Sequence, residues 1–210
     1  MPLWTSKQII SEIDLLFWHI TESEEVLRKE LVLSQTSEAL LKTRKSETHR
    51  KGFLATRKLL CLLGIKPEEV QYTPLGAPFL KKGPHISISH ADDFAAVAMS
   101  KKHAVGVDVE RIRSKILRIA SKFVHPDEPP ISSGHSAHQK LTKIWAAKEA
   151  VYKSMQDSGL SFKSIKVTCL ENSRGMATLK AKGQIKTFQL YFLSIDNYEA
   201  CVTYSANEKE

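Results

Sequence analysis

The sequence predicts an α+β protein of two similar lobes related by a pseudo-twofold axis, each lobe a small, mostly antiparallel sheet packed on a long helix. Three observations predict it. Both halves run in the order helix, short strands, hairpin. Each half holds one long stretch with helical periodicity, HRKGFLATRKLLCLL at 49–63 and LTKIWAAKEAVYKSM at 141–155. Two turns also resemble each other. DDFAAVAMS at 92–100 lines up with DNYEACVTY at 196–204 as acid, acid or amide, aromatic, any residue, alanine, then strand. The first lobe is expected to cover residues 1–103 and the second 104–210, with the functional site where the lobes meet.

Residues 22–63 read as helical with a break near LSQTSE at 33–38. In the last helix Phe53, Leu54, Leu60 and Leu63 share a face, and Gly64 supplies the stop. IKPEEVQYTPLGAPFLKKGP alternates short apolar runs with Pro and Gly, the pattern of brief strands and turns. HISISHADDFAAVAMS reads as strand, turn, strand, with Asp92 and Asp93 at the bend, and AVGVDVE as the strand after it. In the second half a helix is expected over about 138–157, ended by Gly159. Two β segments follow around Asn172 to Gly175, then a closing hairpin in TFQLYFLSIDNYEACVTYS. HPDEPPISSGHSAH at 125–138 reads as an exposed loop; its three histidines, His125, His135 and His138, match no metal-ligand spacing.

The 210 residues are 42% apolar and 26% charged, within the range of folded soluble proteins. No apolar run approaches the roughly 18 residues of a membrane helix, and Glu12 and Asp14 interrupt the stretch where a secretory signal would be unbroken. Cys61, Cys169 and Cys201 are far apart and odd in number, which suits reduced core residues and a cytoplasmic location. The net charge of +8 attracts something negative, whether nucleic acid, a phosphorylated ligand or an acidic protein, or it serves solubility alone.

Chemistry concentrates in AVGVDVE, residues 104–110. In a strand, residues i and i+2 project from one face roughly 6.5–7 Å apart, so Asp108 and Glu110 run in parallel while Val105, Val107 and Val109 bury the other face. Gly106, on the acidic face, would let a bulky ligand approach the backbone. The competing reading is an edge strand with a solvated acidic face. The helix at 141–155 bears on the choice. At about 100° per residue, Leu141, Ile144, Trp145, Val151, Tyr152 and Met155 form one apolar arc with Lys148 in its middle and Glu149 on its flank. Glu149 and Lys153 read equally well as an ordinary i, i+4 surface pair. Lys148 does not: an inward lysine is costly unless its stem reaches water or its ammonium meets an anion. Asp108, Glu110 and Glu149 together suit a hard cation such as Mg²⁺, and two lysines beside them suit phosphate, the parts of a phosphoryl-transfer site.

At these residues the sequence resembles the 4′-phosphopantetheinyl transferase superfamily, in its two-lobed, Sfp-type branch. GVDVE followed by WAAKEAVYK matches the family's paired motifs at Gly106, Asp108, Glu110, Trp145, Lys148, Glu149, Ala150 and Lys153. KFVHPDE at 122–128, ISISH at 86–90 and HRKGFLATRKLL resemble further family segments. The resemblance runs from about 45 to 165. It implies the family's fold and a holo-[acyl-carrier-protein] synthase type of reaction: 4′-phosphopantetheine moves from coenzyme A to a serine hydroxyl of an apo acyl or peptidyl carrier protein, and adenosine 3′,5′-bisphosphate leaves.

The resemblance also implies roles. Asp108, Glu110 and Glu149 would hold Mg²⁺ against the coenzyme A diphosphate, and Glu149, directly or through water, would take the serine proton. Lys153 would steady charge on the diphosphate, and Lys148 would also face the phosphates. His90, with Ser89 and Arg50, would sit near the 3′-phosphate and adenosine, with Arg57 a weaker candidate. A monomer without nucleic-acid or membrane partners is implied. One departure stands out: the family often has Gly-Lys-Pro where this chain has Gly76-Ala77-Pro78, which weakens the expected adenosine-side contact. Two rival functions stay open on the residues alone, a metal-dependent phosphodiesterase or nuclease and a non-catalytic nucleic-acid-binding protein.

Overall fold

The computed structural model describes residues 3–10, 12–29, 31–129, 134–156, 159–169, 173–181 and 184–205. The chain divides into two compact units, Met1–Lys102 and His103–Glu210. Both are mixed α+β with antiparallel sheets, consistent with the expected fold class.

The first unit opens with a hairpin, β1 (Leu3–Ile10) and β2 (Ile13–His19). Helices α1 (Glu24–Lys29), α2 (Gln35–Lys42) and α3 (Glu47–Leu62) follow. Then come a small β3 (Val70–Tyr72)–β4 (Pro78–Leu80) ribbon and the hairpin β5 (His85–Ala91)–β6 (Phe94–Ser100). The main sheet is ordered β1-β2-β6-β5. Ser46 caps α3 by accepting from the His49 amide at 3.2 Å, and Gly64, at φ 77°, takes the left-handed conformation just past the end. Phe53, Leu54 and Leu60 enter one core with Leu16 and Trp18 of β2. The opening hairpin had no counterpart in the sequence reading. β2 is buried at nearly every position, so IDLLFWH shows a continuous apolar run where a half-exposed strand would alternate.

The second unit runs β7 (Val105–Arg111), α4 (Ile116–Phe123), α5 (His135–Met155), β8 (Ile165–Cys169), β9 (Arg174–Ala181), β10 (Gln184–Ile195) and β11 (Tyr198–Ser205). Its five-stranded sheet is ordered β7-β11-β10-β9-β8, and α5 packs on it through Leu141, Ala147, Ala150 and Val151.

The two look-alike turns are both two-residue bends of a hairpin, with Asp92 at φ 42° and Asp196 at φ 49°; aspartate tolerates this region better than most residues because its side chain bonds the local backbone. In each unit the hairpin's second strand pairs with the strand that precedes the long helix, β6 with β2 and β11 with β7.

Some boundaries differ from the sequence reading. The second long helix starts at His135, so 135–138 belongs to α5 and not to a loop, and residues 130–133 lie outside the described residues. It ends at Met155, where Gln156 at φ 51° turns the chain, ahead of Gly159. Asn172, placed at a turn by the sequence, lies outside the described residues, as does the side chain of Cys169. Cys201 is a buried thiol, but Cys61 is exposed and not a core residue. No helix among the described residues is long and apolar enough to cross a membrane.

Candidate active site

The acidic strand and the long helix of the second unit meet face to face. A Cβ at Gly106 would lie 1.9 Å from the Ala150 carbonyl oxygen and 3.0 Å from the Ser154 amide. Glycine is therefore required for α5 to seat on β7, and the expected ligand space at Gly106 is filled by the helix backbone. The close approach sets Asp108 and Glu110, on the face shared with Gly106, beneath the side chains of α5. Asp108 is only 4% exposed, which rules out the solvated acidic edge. Val105, Val107 and Val109 are buried on the other face, as the alternation predicts.

Three contacts organise the acids. The Lys153 ammonium donates to Asp108 Oδ1 at 2.7 Å and to the Val107 carbonyl at 3.2 Å. The Trp145 indole N–H donates to Glu110 Oε1 at 3.0 Å. Burial, and then the charge of Asp108, raise the Glu110 carboxyl above its ordinary range. Burial pushes the Glu149 carboxyl up to about 7, with Asp108 and Glu110 adding to the rise and Lys153 opposing it. The acids thus sense one another, and Glu149 is poised to exchange a proton near neutrality.

The expectation of three carboxylates gathered on one ion is not met as a preformed cluster: among the described residues, no three Asp, Glu, His or Cys side chains converge at coordinating spacing. Mutual repulsion opposes such convergence, Lys153 balances Asp108, and Trp145 holds Glu110. The donor chemistry still fits a hard divalent cation, since the set is all carboxylate oxygen and its members raise one another's proton affinity.

Lys148 is a correction. It was expected to face phosphates, yet it is fully buried on another side of α5. Its ammonium pairs with Glu128 at 2.9 Å and donates to the Phe123 carbonyl at 2.6 Å. Burial lowers its pKa, and Glu128 counters that by favouring the charged form. Of the two ways an inward lysine can be tolerated, this one meets an anion. Glu128 lies in KFVHPDE, and only its distance in sequence from Lys148 hid the pairing. Glu199 also went unassigned; it is wholly buried and accepts from Gln139 Nε2 at 2.8 Å and Ser194 Oγ at 2.9 Å.

In the first unit Arg57 is a second correction: it is 1% exposed, its guanidinium lies 3.9 Å from the centroid of the Phe53 ring, and it donates to the Tyr72 hydroxyl, so it is closed to a ligand phosphate. Arg50 is engaged locally, its Nε on the Glu24 carboxylate at 2.9 Å and one terminal nitrogen on the Lys45 carbonyl at 3.0 Å. Those bonds join α1 to the start of α3, and the Arg50–Glu24 pair is about a third exposed. His90 is half-buried against α3, where a Cβ at Gly52 would come within 2.7 Å of its Nδ1. Ser89, its strand neighbour, points to the opposite face of β5 and is buried.

Comparison with known proteins bears on the second unit above all. A model of the 4′-phosphopantetheinyl transferase superfamily matches residues 104–203, a segment containing both the Gly106–Glu110 and Trp145–Lys153 motifs. The chain is similar to the 4′-phosphopantetheinyl transferase gsp of Aneurinibacillus migulanus, 31% identical over 110 residues that cover 50% of this chain and 46% of that protein. It is also similar to the 4′-phosphopantetheinyl transferase HetI of Nostoc sp., 26% identical over 136 residues and 57% of each chain. The matched stretches span about half the length of these relatives. The resemblance first read from the two motifs is therefore independently found.

Proposed function

We propose that this chain, whose second unit carries the match to the 4′-phosphopantetheinyl transferase superfamily, moves 4′-phosphopantetheine from coenzyme A to a serine of an apo carrier protein. The observation that carries the reading is the ion pair that Lys153 of α5 makes with Asp108 of the facing strand, one helical turn from Glu149, whose carboxyl is raised to about 7. A carboxylate near neutral pKa is suited to take a hydroxyl proton, and an ammonium beside it is suited to the charge that grows on a leaving phosphate.

Glu149 accepts the serine proton, directly or through water, as the hydroxyl attacks the β-phosphorus of coenzyme A. Lys153 stabilises the 3′,5′-bisphosphoadenosine that departs as the diphosphate bond breaks. Asp108 holds Lys153 in reach, and Trp145 fixes the Glu110 carboxylate. Asp108, Glu110 and Glu149 would bind Mg²⁺, which when present supplies charge neutralisation at the diphosphate. For the first unit, His90 remains a proposed contact for the 3′-phosphate and adenosine, and Ser89, buried on the opposite face of β5, is left out. Lys148 and Arg57 are left out for the reasons of burial and pairing given above, while Arg50, in a partly exposed pair with Glu24, stays among the proposed contacts. The basic chain would steer an anionic co-substrate and an acidic partner. Which carrier is modified, whether of fatty-acid, polyketide or peptide synthesis, is set by the partner surface and not by this chemistry.

The test is incubation with Mg²⁺, coenzyme A and a panel of apo carrier proteins, read by intact-protein mass. The expected outcome is a gain of one phosphopantetheinyl group on at least one carrier. No gain on any of them, with cleavage of nucleic acid by the same preparation, would establish the phosphodiesterase reading instead.

A further inference from the structure

The ion pair between Lys148 and Glu128 is dry, both side chains being 0% exposed, and it takes no part in the proposed chemistry. A buried pair of this kind gives little net stability, because desolvation of two charges consumes most of the attraction between them. Its hydrogen bonds suggest a different purpose. Glu128 Oε1 accepts from the Val167 amide of β8 at 2.8 Å, and Oε2 accepts from the His125 amide at 2.8 Å. Lys148 Nζ donates to the carbonyls of Phe123, at the end of α4, and Phe162, at 3.4 Å. One pair thereby ties α5 to α4, to the segment after it and to the approach to β8.

Phe123 and Phe162, the residues whose carbonyls hold Lys148, are also the walls around Trp145. The Trp145 ring meets Phe123 edge-on at 5.0 Å and Phe162 tilted at 5.1 Å. Its indole N–H is the group that fixes Glu110. Glu149 is the next residue after Lys148 on α5, about 100° round the helix. We propose that Glu128, through its buried pair with Lys148, is a positioning residue for the acidic site, holding Trp145 on Glu110 and turning Glu149 toward Asp108. This rests on the functional reading above for its catalytic consequence but not for its geometry.

The test uses the full chain with both charges removed at similar volume, Glu128→Leu with Lys148→Met, alongside the native protein. The indole N–H resonances of tryptophan report on the hydrogen bond, with Trp145→Phe identifying the Trp145 signal and Glu110→Ala giving its unbonded position. In the double variant the melting temperature is expected to fall, because the Val167 and His125 amides and the Phe123 and Phe162 carbonyls lose their partners. In the protein that remains folded the Trp145 signal moves toward the unbonded position, and kcat falls by roughly a hundredfold, the cost of about an ångström of misplacement, with KM for coenzyme A unchanged. A native Trp145 signal in the folded double variant overturns the proposal. Should that variant fail to fold, Glu128→Asp keeps both charges and shortens the reach; a smaller displacement of the same signal supports positioning, and an unmoved signal overturns it. Absence of transfer by the native protein would overturn the functional reading alone, since the resonance still decides this one.

Discussion

Set in register on their hairpin turns, the two units differ in where their strands carry acids. Counting back from each turn, Trp18 of β2 faces Ala95 as Glu110 of β7 faces Glu199, and Leu16 faces Val97 as Asp108 faces Cys201. The loop closures agree too, with the Ile20 amide on the Asp93 carbonyl and the Ile112 amide on the Asn197 carbonyl. Leu16 and Trp18 are core residues packed with α3. The second unit therefore puts carboxylates where the first has core under its long helix. The difference teaches how the site is built: the sheet-and-helix layer is kept, three apolar positions, those of Leu16, Trp18 and Ala95, are given up to acids, and the cost appears as the raised carboxyls of Glu110 and Glu149.

Both long helices also bury a cation, and solve it differently. Arg57 of α3 lies over Phe53 and bonds Tyr72, whereas Lys148 of α5 has Glu128 and two carbonyls. A delocalised guanidinium can be held by ring faces and hydroxyls; a compact ammonium needs an anion and carbonyl oxygens.

The comparison can be broken most sharply at Glu149. Glu149→Gln is expected to reduce phosphopantetheine transfer by about 10²–10⁴-fold, the usual worth of a general base, while circular dichroism and melting stay near native. Unchanged turnover would detach the acids of the second unit from catalysis. Next in size is the glycine contrast. Gly106→Ala drives a methyl group into the α5 backbone and should destabilise by about 3 kcal/mol or more, at the upper end of overpacking costs, read from denaturant midpoints. Gly52→Ala meets the His90 side chain at its Nδ1, Cγ and Cβ, with no backbone atom among the nearest three, and should cost less. Equal losses would mean the two helices seat alike.

Asp108→Leu restores the residue type of the first unit. It should leave the melting temperature within a few degrees of native, because Lys153 is 28% exposed and its ammonium can reach water. The thermal shift expected from Mg²⁺ on the native protein should vanish in this variant. The smallest effect is on pH dependence in metal-free buffer. A carboxyl whose folded pKa is raised binds its proton more tightly in the native state. Its stabilising contribution is complete below about 4.5 and is lost as pH rises through about 7. Melting temperature should therefore decline across that window in the native protein and decline less in Glu149→Gln.

Much of this was legible in residue order. The helix-then-hairpin repeat, the buried valine face of β7, the glycine stop of α3 and the shared face of Asp108 and Glu110 follow from periodicity and turn chemistry. The opening hairpin was hidden because a strand buried on both faces loses its alternation. The partners of Lys148 and Arg57 were hidden because an inward charge announces that it needs compensation without saying from which part of the chain it comes.

The sequence alone determined which residues could do chemistry, since the spacing of Asp108 and Glu110 on a strand and of Trp145, Lys148, Glu149 and Lys153 on a helix fixes their faces. Only the tertiary structure decided which of them meet. Glycine at 106 lets α5 descend onto β7, which delivers Lys153 to Asp108 and Trp145 to Glu110 while sending Lys148 inward to Glu128. Facing is a local property of backbone geometry; pairing depends on how closely two elements pack.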